Sequence, residues 1–318
     1  METSYYSYIR AILDTGNITR AAKSLFISQP ALSQAINRLE TQLGTKILDR
    51  SKNPIRLTLA GKKYMAASEK INAITTNLMN EISEITDEYQ GELRLGISMQ
   101  RGIQLLPSVI PLFSARFPHV TIELIEEGSS TLEKMLHDGA CDLALITTEP
   151  RHTDLHYELL ESEEVVLVAA YDTTFAKQYK AGSVIPISAA ASELFVSLCQ
   201  GHSVRTIQDE LFARNRFDPS ILLETNNVEA AKRLVAEGAA LMLCPSVYIT
   251  QSPEICDKVK CFRIQNMGYK RHFYFSYRKD MTLTRFMIEF RDIVKEHLAT
   301  QARRICDGSA SHLPLGRA

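Results

Sequence analysis

Residues 24–40, SLFISQPALSQAINRLE, restrict the fold more tightly than any other stretch of the chain. At helical spacing Leu32, Ile36, Leu39 and Leu43 form an apolar face that has to be buried, while Gln29, Ser33, Gln34, Asn37 and Arg38 form the opposite face. That polar face carries amides and hydroxyls but no acid, unlike the Glu and Lys mixture of an ordinary solvated helix. Ser28 is placed to cap the helix, and Pro30 falls in its first turn, where a missing N–H costs nothing.

Upstream, Tyr5, Ile9, Ile12 and Leu13 predict a first helix ending at Gly16. Asn17 or Thr19 can cap a second helix, in which Ala21, Ala22 and Leu25 make a face that a neighbouring helix can approach closely. A turn at Phe26-Ile27-Ser28 then joins it to the amide-bearing helix, which makes a helix-turn-helix. After Gly44, TKILDRSKNPIRLT reads as a two-stranded wing with Arg50, Lys52 and Arg56 near its tip. Gln29, Ser33, Gln34 and Asn37 can then offer donors and acceptors to base edges in a major groove, while the wing cations reach phosphates or the minor groove. Charge agrees: the first seventy residues hold eleven basic against five acidic residues, although the whole chain has a net charge of −1. A basic head on an acidic body predicts that the head meets a polyanion.

Beyond the wing, Tyr64, Ala67, Ile71, Ile74, Leu78, Ile82, Ile85 and Tyr89 recur at heptad-like spacing. A helix from Ala60 to Tyr89 would be about 45 Å long, so a helix of a second chain is its natural cover. Two heads related by a two-fold axis would favour a partly palindromic DNA site.

From Gly91 the pattern alternates strands and helices. ELRLGIS, VTIELIEE, DLALITT, EEVVLVAAY, ELFVSLC, ILLET, AALMLC and HFYFSY read as strands, with helices over 103–116, 131–137, 204–215, 228–237 and 284–299. Open α/β sheets bind ligands beyond the carboxyl ends of strands, near helix N-termini. Ser98 and Gln100, Thr147 and Thr148, Gly201-His202-Ser203, and Asn226-Asn227 all stand at such ends, small polar groups suited to holding a small molecule.

The run NITRAAKSLFISQPALSQAINRLETQLGTKILDRSKNPIRLTLAGKKY resembles the winged helix-turn-helix of LysR-type transcriptional regulators in its Ala-Ala, Ser-Gln-Pro-Ala-x-Ser, Arg-Leu-Glu, Leu-Gly and Leu-Thr-x-x-Gly elements. Gln34 stands where Arg is common, and Leu48-Asp49-Arg50 replaces a more usual Leu-Phe-x-Arg. The resemblance implies a multidomain chain, with a mainly α DNA-binding head over 1–58 (Gln29, Pro30, Ser33, Gln34, Asn37, Arg38, Arg50, Lys52 and Arg56 facing DNA) and a linker helix over 59–90. It further implies a two-lobed, α/β, periplasmic-binding-protein-like effector domain of type 2 over 91–302; the end of the chain, closing with GSASHLPLGRA, reads as a flexible tail over 303–318. Lobe I would comprise about 91–163 and 269–302, and lobe II about 164–268, with the strand-end residues above as effector positions; Gln100 departs from the usual Ser or Thr. The implied partners are double-stranded DNA, a small-molecule effector of unspecified identity, a homodimer or homotetramer, and RNA polymerase; no cofactor is implied.

Other chemistries are less well supported. Six cysteines lack a CxxC pair, and the 256/261 pair has no second pair at zinc-site spacing. His152 and His156 have i, i+4 spacing but follow Pro150 in a loop-like segment, so no metal site is expected. Cys199 beside GHSVR raises a redox-sensing alternative, but Ser203 occupies the place where the family's peroxide sensor has its reactive cysteine. A hydrolase-like alternative, with Cys199 or Ser203 as nucleophile and His202 as base, lacks the GxSxG elbow and an orienting third group. The start METSYYSYIR has no apolar signal core, and the run Val165–Ala170 is far below the roughly 20 residues of a membrane helix, so the expected location is the cytoplasm.

Overall fold

The computed structural model describes residues 3–85, 90–268 and 270–306. The described chain divides into two compact units that separate at residue 82, with residues 138–140 grouped with the first.

In the first unit, α1 (Thr3–Thr15), α2 (Ile18–Ser24) and α3 (Gln29–Leu43) pack around Ile9, Ile12, Ala21, Ala22, Leu32, Ile36 and Leu39. Their boundaries follow from local chemistry. Asn17 Oδ1 accepts from the N–H groups of Thr19 and Arg20, Ser28 Oγ accepts from Ala31 N–H, and Gly44 closes α3 at φ +66°, a left-handed conformation that suits glycine. Leu43, expected in the core, is instead 40% exposed, because it is the last residue of α3. The wing pairs β1 (Leu48–Asp49) antiparallel with β2 (Arg56–Leu57). Next comes α4 (Leu59–Ile85), a helix of 27 residues and thus about 40 Å. Tyr64 of the expected seam is buried in the head core, whereas Ile71, Ile74, Leu78 and Ile82 are 42–63% exposed; the side chain of Ile85 and the whole of Tyr89 lie outside the described residues.

Glu40 holds the wing to α3. Its carboxylate is 3% exposed, accepts from the N–H groups of Ile47 and Leu48 at 3.0 and 3.2 Å, and pairs with Lys46 at 2.9 Å. Burial pushes its pKa up, but Lys46, the two N–H groups and Arg50 outweigh burial and leave it below the ordinary carboxylate value.

The second unit has two lobes. The chain forms β3 (Gly91–Ile97), α5 (Met99–Arg116), β4 (Val120–Glu126), α6 (Ser129–Asp138), β5 (Leu143–Ile146) and β6 (Leu155–Glu163) before it leaves lobe I. Lobe II follows as β7 (Val165–Ala170), α7 (Thr174–Lys177), β8 (Val184–Ile185), β9 (Leu194–Leu198), α8 (Ser203–Arg214), β10 (Ser220–Thr225), α9 (Val228–Ala236), β11 (Met242–Pro245), α10 (Ser246–Thr250), α11 (Pro253–Cys256) and β12 (Val259–Ile264). The chain then returns through β13 (Arg271–Arg278) and α12 (Arg285–Cys306).

The lobe I sheet has the order β4-β3-β5-β13-β6, parallel among the first three and antiparallel thereafter; lobe II has β11-β7-β12-β8, with the parallel pair β9–β10 joined to it by a bridge from Phe195 to Leu241. α5 and α12 cover the lobe I sheet through Phe113, Phe290 and Val294. A buried pair, Arg94 with Asp142, ties β3 to the start of β5.

Several expectations are corrected. β6 and β12 were not foreseen, since LHYELLESE and VKCFRI interleave charges with apolar residues too closely to show a clear core face. Val165–Ala170 forms a strand separate from the one that Glu163 ends, the chain changing lobes at Glu164. α5 starts at Met99 rather than Ile103, its first turn passing through Gly102. His156 is in β6 rather than a loop, and α12 continues to Cys306, so the expected tail opens as helix; residues 307–318 lie outside the described residues.

Replacing Glu40 by Ala is expected to cost the head about 2–4 kcal/mol, because two buried N–H groups lose their acceptor. Since the folded pKa lies below the unfolded one, Glu40 stabilises the head above the unfolded carboxylate value and the gain disappears as pH falls through the folded value. Urea denaturation of wild type and Glu40→Ala as a function of pH should show the gap closing at acid pH.

Candidate functional site

On the head, the outward face of α3 presents Gln29, Gln34, Asn37 and Arg38 as exposed residues with Ser33 half-buried, and Pro30 is exposed in the first turn. Arg50, Lys52 and Arg56 are exposed on the wing. Two pairs bond to each other: Gln29 Nε2 donates to Ser33 Oγ at 3.0 Å, and Arg50 donates to Asn37 Oδ1 at 3.0 Å. The second bond links the wing to the amide face, so both are held in one arrangement. The turn before α3 adds Phe26, 97% exposed at φ +55°, which the sequence marked only as part of a turn.

In the second unit, helix N-termini and strand ends from both lobes meet. Ser129, the first residue of α6, donates or accepts with Thr147 Oγ1 at 3.0 Å and accepts from Thr147 N–H at 3.0 Å. Across the lobes, Thr147 Oγ1 bonds Ser203 Oγ at 3.0 Å, and Ser203 is the first residue of α8. Thr148 Oγ1 is buried without a hydrogen-bond partner. Gln100 is buried in the first turn of α5, and Ser98, the N-cap of that helix, makes no side-chain cap bond. Gly201 is exposed at φ +99°, and its carbonyl oxygen would stand 3.6 Å from a Cβ built on Gly128, so the two loops approach across the lobes.

Not every expected residue joins this cluster. His202 is the N-cap of α8 without a side-chain cap bond. Asn226 is exposed, and Asn227 uses its Oδ1 to cap α9 through Ala230 N–H at 3.0 Å. Cys199 is half-buried just beyond β9, with its N–H bonded to Thr225 O. The bonds of Ser203 run to Thr147 and Arg271, and none to an imidazole is found among the described residues.

Sequence reading missed the ionic group beside the cluster. Arg101 and Arg271, 2% and 4% exposed, flank Glu163, 3% exposed. Arg101 lies 3.0 Å from both Glu161 and Glu163, Arg271 bonds Glu163 through Nε at 2.5 Å, and it also donates to Tyr248 Oη at 2.9 Å and to Ser203 Oγ at 3.4 Å. Arg271 thus connects the hinge strands to lobe II. The Arg101 guanidinium rests 3.8 Å from the Phe273 ring centroid. No periodicity marks these residues, as their partners lie far apart in sequence. An open cavity of about 730 Å³ lies elsewhere, lined by Glu164, Val165, Met267, Lys270 and His272 where the chain passes between the lobes; the Thr147 cluster is the better candidate because polar groups from both lobes converge there.

Residues 5–62 match the family model "Bacterial regulatory helix-turn-helix protein, lysR family", and residues 86–299 match "LysR substrate binding domain". The chain belongs to the LysR family. It is a DNA-binding transcriptional regulator with an effector-binding domain. The HTH-type transcriptional regulator YcgK of Bacillus subtilis is 29% identical over 261 residues, 78% of this chain and 81% of that one. The solved full-length CbnR in complex with its target DNA shares the fold at a TM-score of 0.65 and 21% identity, over 93% of this chain and 99% of that one. The regulatory domain of Synechocystis CcmR, solved in complex with 2-PG, has a TM-score of 0.58 at 22% identity, over 66% of this chain and 98% of that one.

Because Glu163 neutralises two buried guanidiniums, Glu163→Ala is expected to destabilise the second unit by about 3–5 kcal/mol. Differential unfolding of the full-length chain should show that unit melting earlier with the head transition unmoved.

Proposed function

We propose that a small-molecule effector binds between the lobes at Ser98, Gln100, Ser129, Thr147, Thr148 and Ser203, and that its binding changes how paired heads engage DNA. The observation that carries this reading is the Thr147–Ser203 bond, by which a strand-end hydroxyl of one lobe and a helix-start hydroxyl of the other face each other beside the unpartnered Thr148 hydroxyl. A ligand with suitably placed acceptors can take over these hydroxyls, and it shifts the lobes only if it binds their two arrangements with different affinity. The reading makes the domain a sensor that binds without turnover, acting in the cytoplasm. No described helix is long and apolar enough to cross a membrane.

The head supplies the DNA contact, with Gln29, Pro30, Ser33, Gln34, Asn37 and Arg38 at base edges or the adjoining backbone and Arg50, Lys52 and Arg56 on phosphates or in the minor groove. Dimerisation follows from α4. Its exposed Ile71, Ile74, Leu78, Met79 and Ile82 give an unfavourable solvent face that a second α4 covers, and RNA polymerase is the partner that paired heads would bring to a promoter.

Titrating an operator fragment with the chain, with and without candidate metabolites, tests both halves. Lys52→Ala should weaken all sequences alike and lower the salt slope by about one, whereas Asn37→Ala should relax preference at one or two positions by about 1–3 kcal/mol. Thr147→Val should keep DNA binding and lose at least tenfold in effector affinity. Equal effector response in wild type and Thr147→Val would overturn the cleft assignment.

Ile74→Glu combined with Leu78→Glu should shift the chain toward monomer in sedimentation velocity and reduce operator affinity, with the head fold retained by circular dichroism.

A further inference from the structure

On the surface of lobe I, two imidazoles and a carboxylate converge where the sequence showed only an unhelpful His152/His156 spacing. His156 turns away and stacks on Tyr277, with ring centroids 4.8 Å apart. His152 instead faces His137, at the C-terminal end of α6, with centroids 5.1 Å apart. Asp154 stands between them: its Oδ2 is 2.7 Å from His137 Nδ1 and its Oδ1 is 4.0 Å from His152 Nδ1. One ligand-capable atom from each of the three residues lies within 4.8 Å of the others. We infer that His137, His152 and Asp154 form a binding site for a divalent cation of the zinc class, completed by water at the open position.

Imidazole nitrogen and carboxylate oxygen bind zinc at about 2.0–2.2 Å, so three donors around one ion stand about 3.3 Å apart. Reaching that spacing requires His152 to swing in by roughly an ångström and the His137–Asp154 pair to open slightly. The backbone is already in place. Thr153 O accepts from Lys279 Nζ at 2.8 Å, Asp154 O from Lys279 N–H at 2.9 Å, and His152 N–H donates to Tyr157 Oη at 3.2 Å. All three ligand side chains are 36–48% exposed, so they rotate without disturbing the core and a hydrated ion reaches them directly. Imidazole with carboxylate favours zinc, nickel or copper over magnesium and calcium, which take oxygen ligands.

The test is calorimetric titration of the untagged, chelator-treated full-length chain with zinc chloride, and the visible spectrum of its cobalt(II) form. The expected result is one saturable equivalent per chain and the absorption of four-coordinate cobalt. His137→Ala, His152→Ala and Asp154→Asn should each weaken binding at least tenfold and abolish the cobalt spectrum, while His156→Ala leaves both unchanged. Circular dichroism confirms that the variants are folded. Absence of saturable binding, binding that survives the His137→Ala/His152→Ala double substitution, or an equal loss in His156→Ala would overturn the site.

Discussion

The chain passes between the lobes of its sensor at two places, leaving through β6 and returning through β13, and at that crossing two guanidiniums and two carboxylates are packed together. Taking Arg101, Arg271 and Glu163 out of water is costly, so the group persists only because Glu163 pairs with both guanidiniums, the partly exposed Glu161 pairs with Arg101, and Phe273 and Tyr248 complete the packing. Its members reach outward. Arg271 touches Ser203 in the cleft, and Arg101 sits one residue after Gln100 in α5. Any change in lobe spacing therefore acts on a buried ionic group that tolerates few arrangements, which favours discrete states over gradual deformation.

The cleft uses the opposite economy. Ser129, Thr147, Thr148 and Ser203 are neutral hydroxyls at helix starts and strand ends, each able to donate or accept; Thr147 bonds Ser129 within lobe I and Ser203 across the gap, and Thr148 stays unpartnered. For the effector proposed to bind here, exchanging such bonds for bonds to the ligand would have a small net cost, which would leave selectivity to shape and to whichever hydroxyl is otherwise unpaired. On the head, too, a polar side chain is bonded within the fold, Asn37 Oδ1 accepting from Arg50.

Much of the head was legible from residues alone. Ser28, Pro30 and Gly44 punctuate α3 through local backbone chemistry, and the apolar period of Leu32, Ile36 and Leu39 names its buried side. Leu43 continues that period yet is exposed, because periodicity does not reveal where the core behind a helix stops. In the sensor, Thr147, Thr148 and Ser203 were legible as strand-end and helix-start residues, but Asn227 proved to be a cap, a role that the same residue type and position fit equally well.

The helix-turn-helix, the wing, the apolar stripe of α4 and the alternation of strands with helices are all written in residue order, since caps, turns and apolar period act among residues close along the chain. Packing in three dimensions was needed to show that Glu40 anchors the wing, that Arg101 and Arg271 share Glu163, and that His137 rather than His156 partners His152. The reason is physical: a buried charge or a polar cluster is stabilised by whatever surrounds it in space, and in the sensor those neighbours come from segments as far apart as Glu163 and Arg271, a separation that no local pattern encodes.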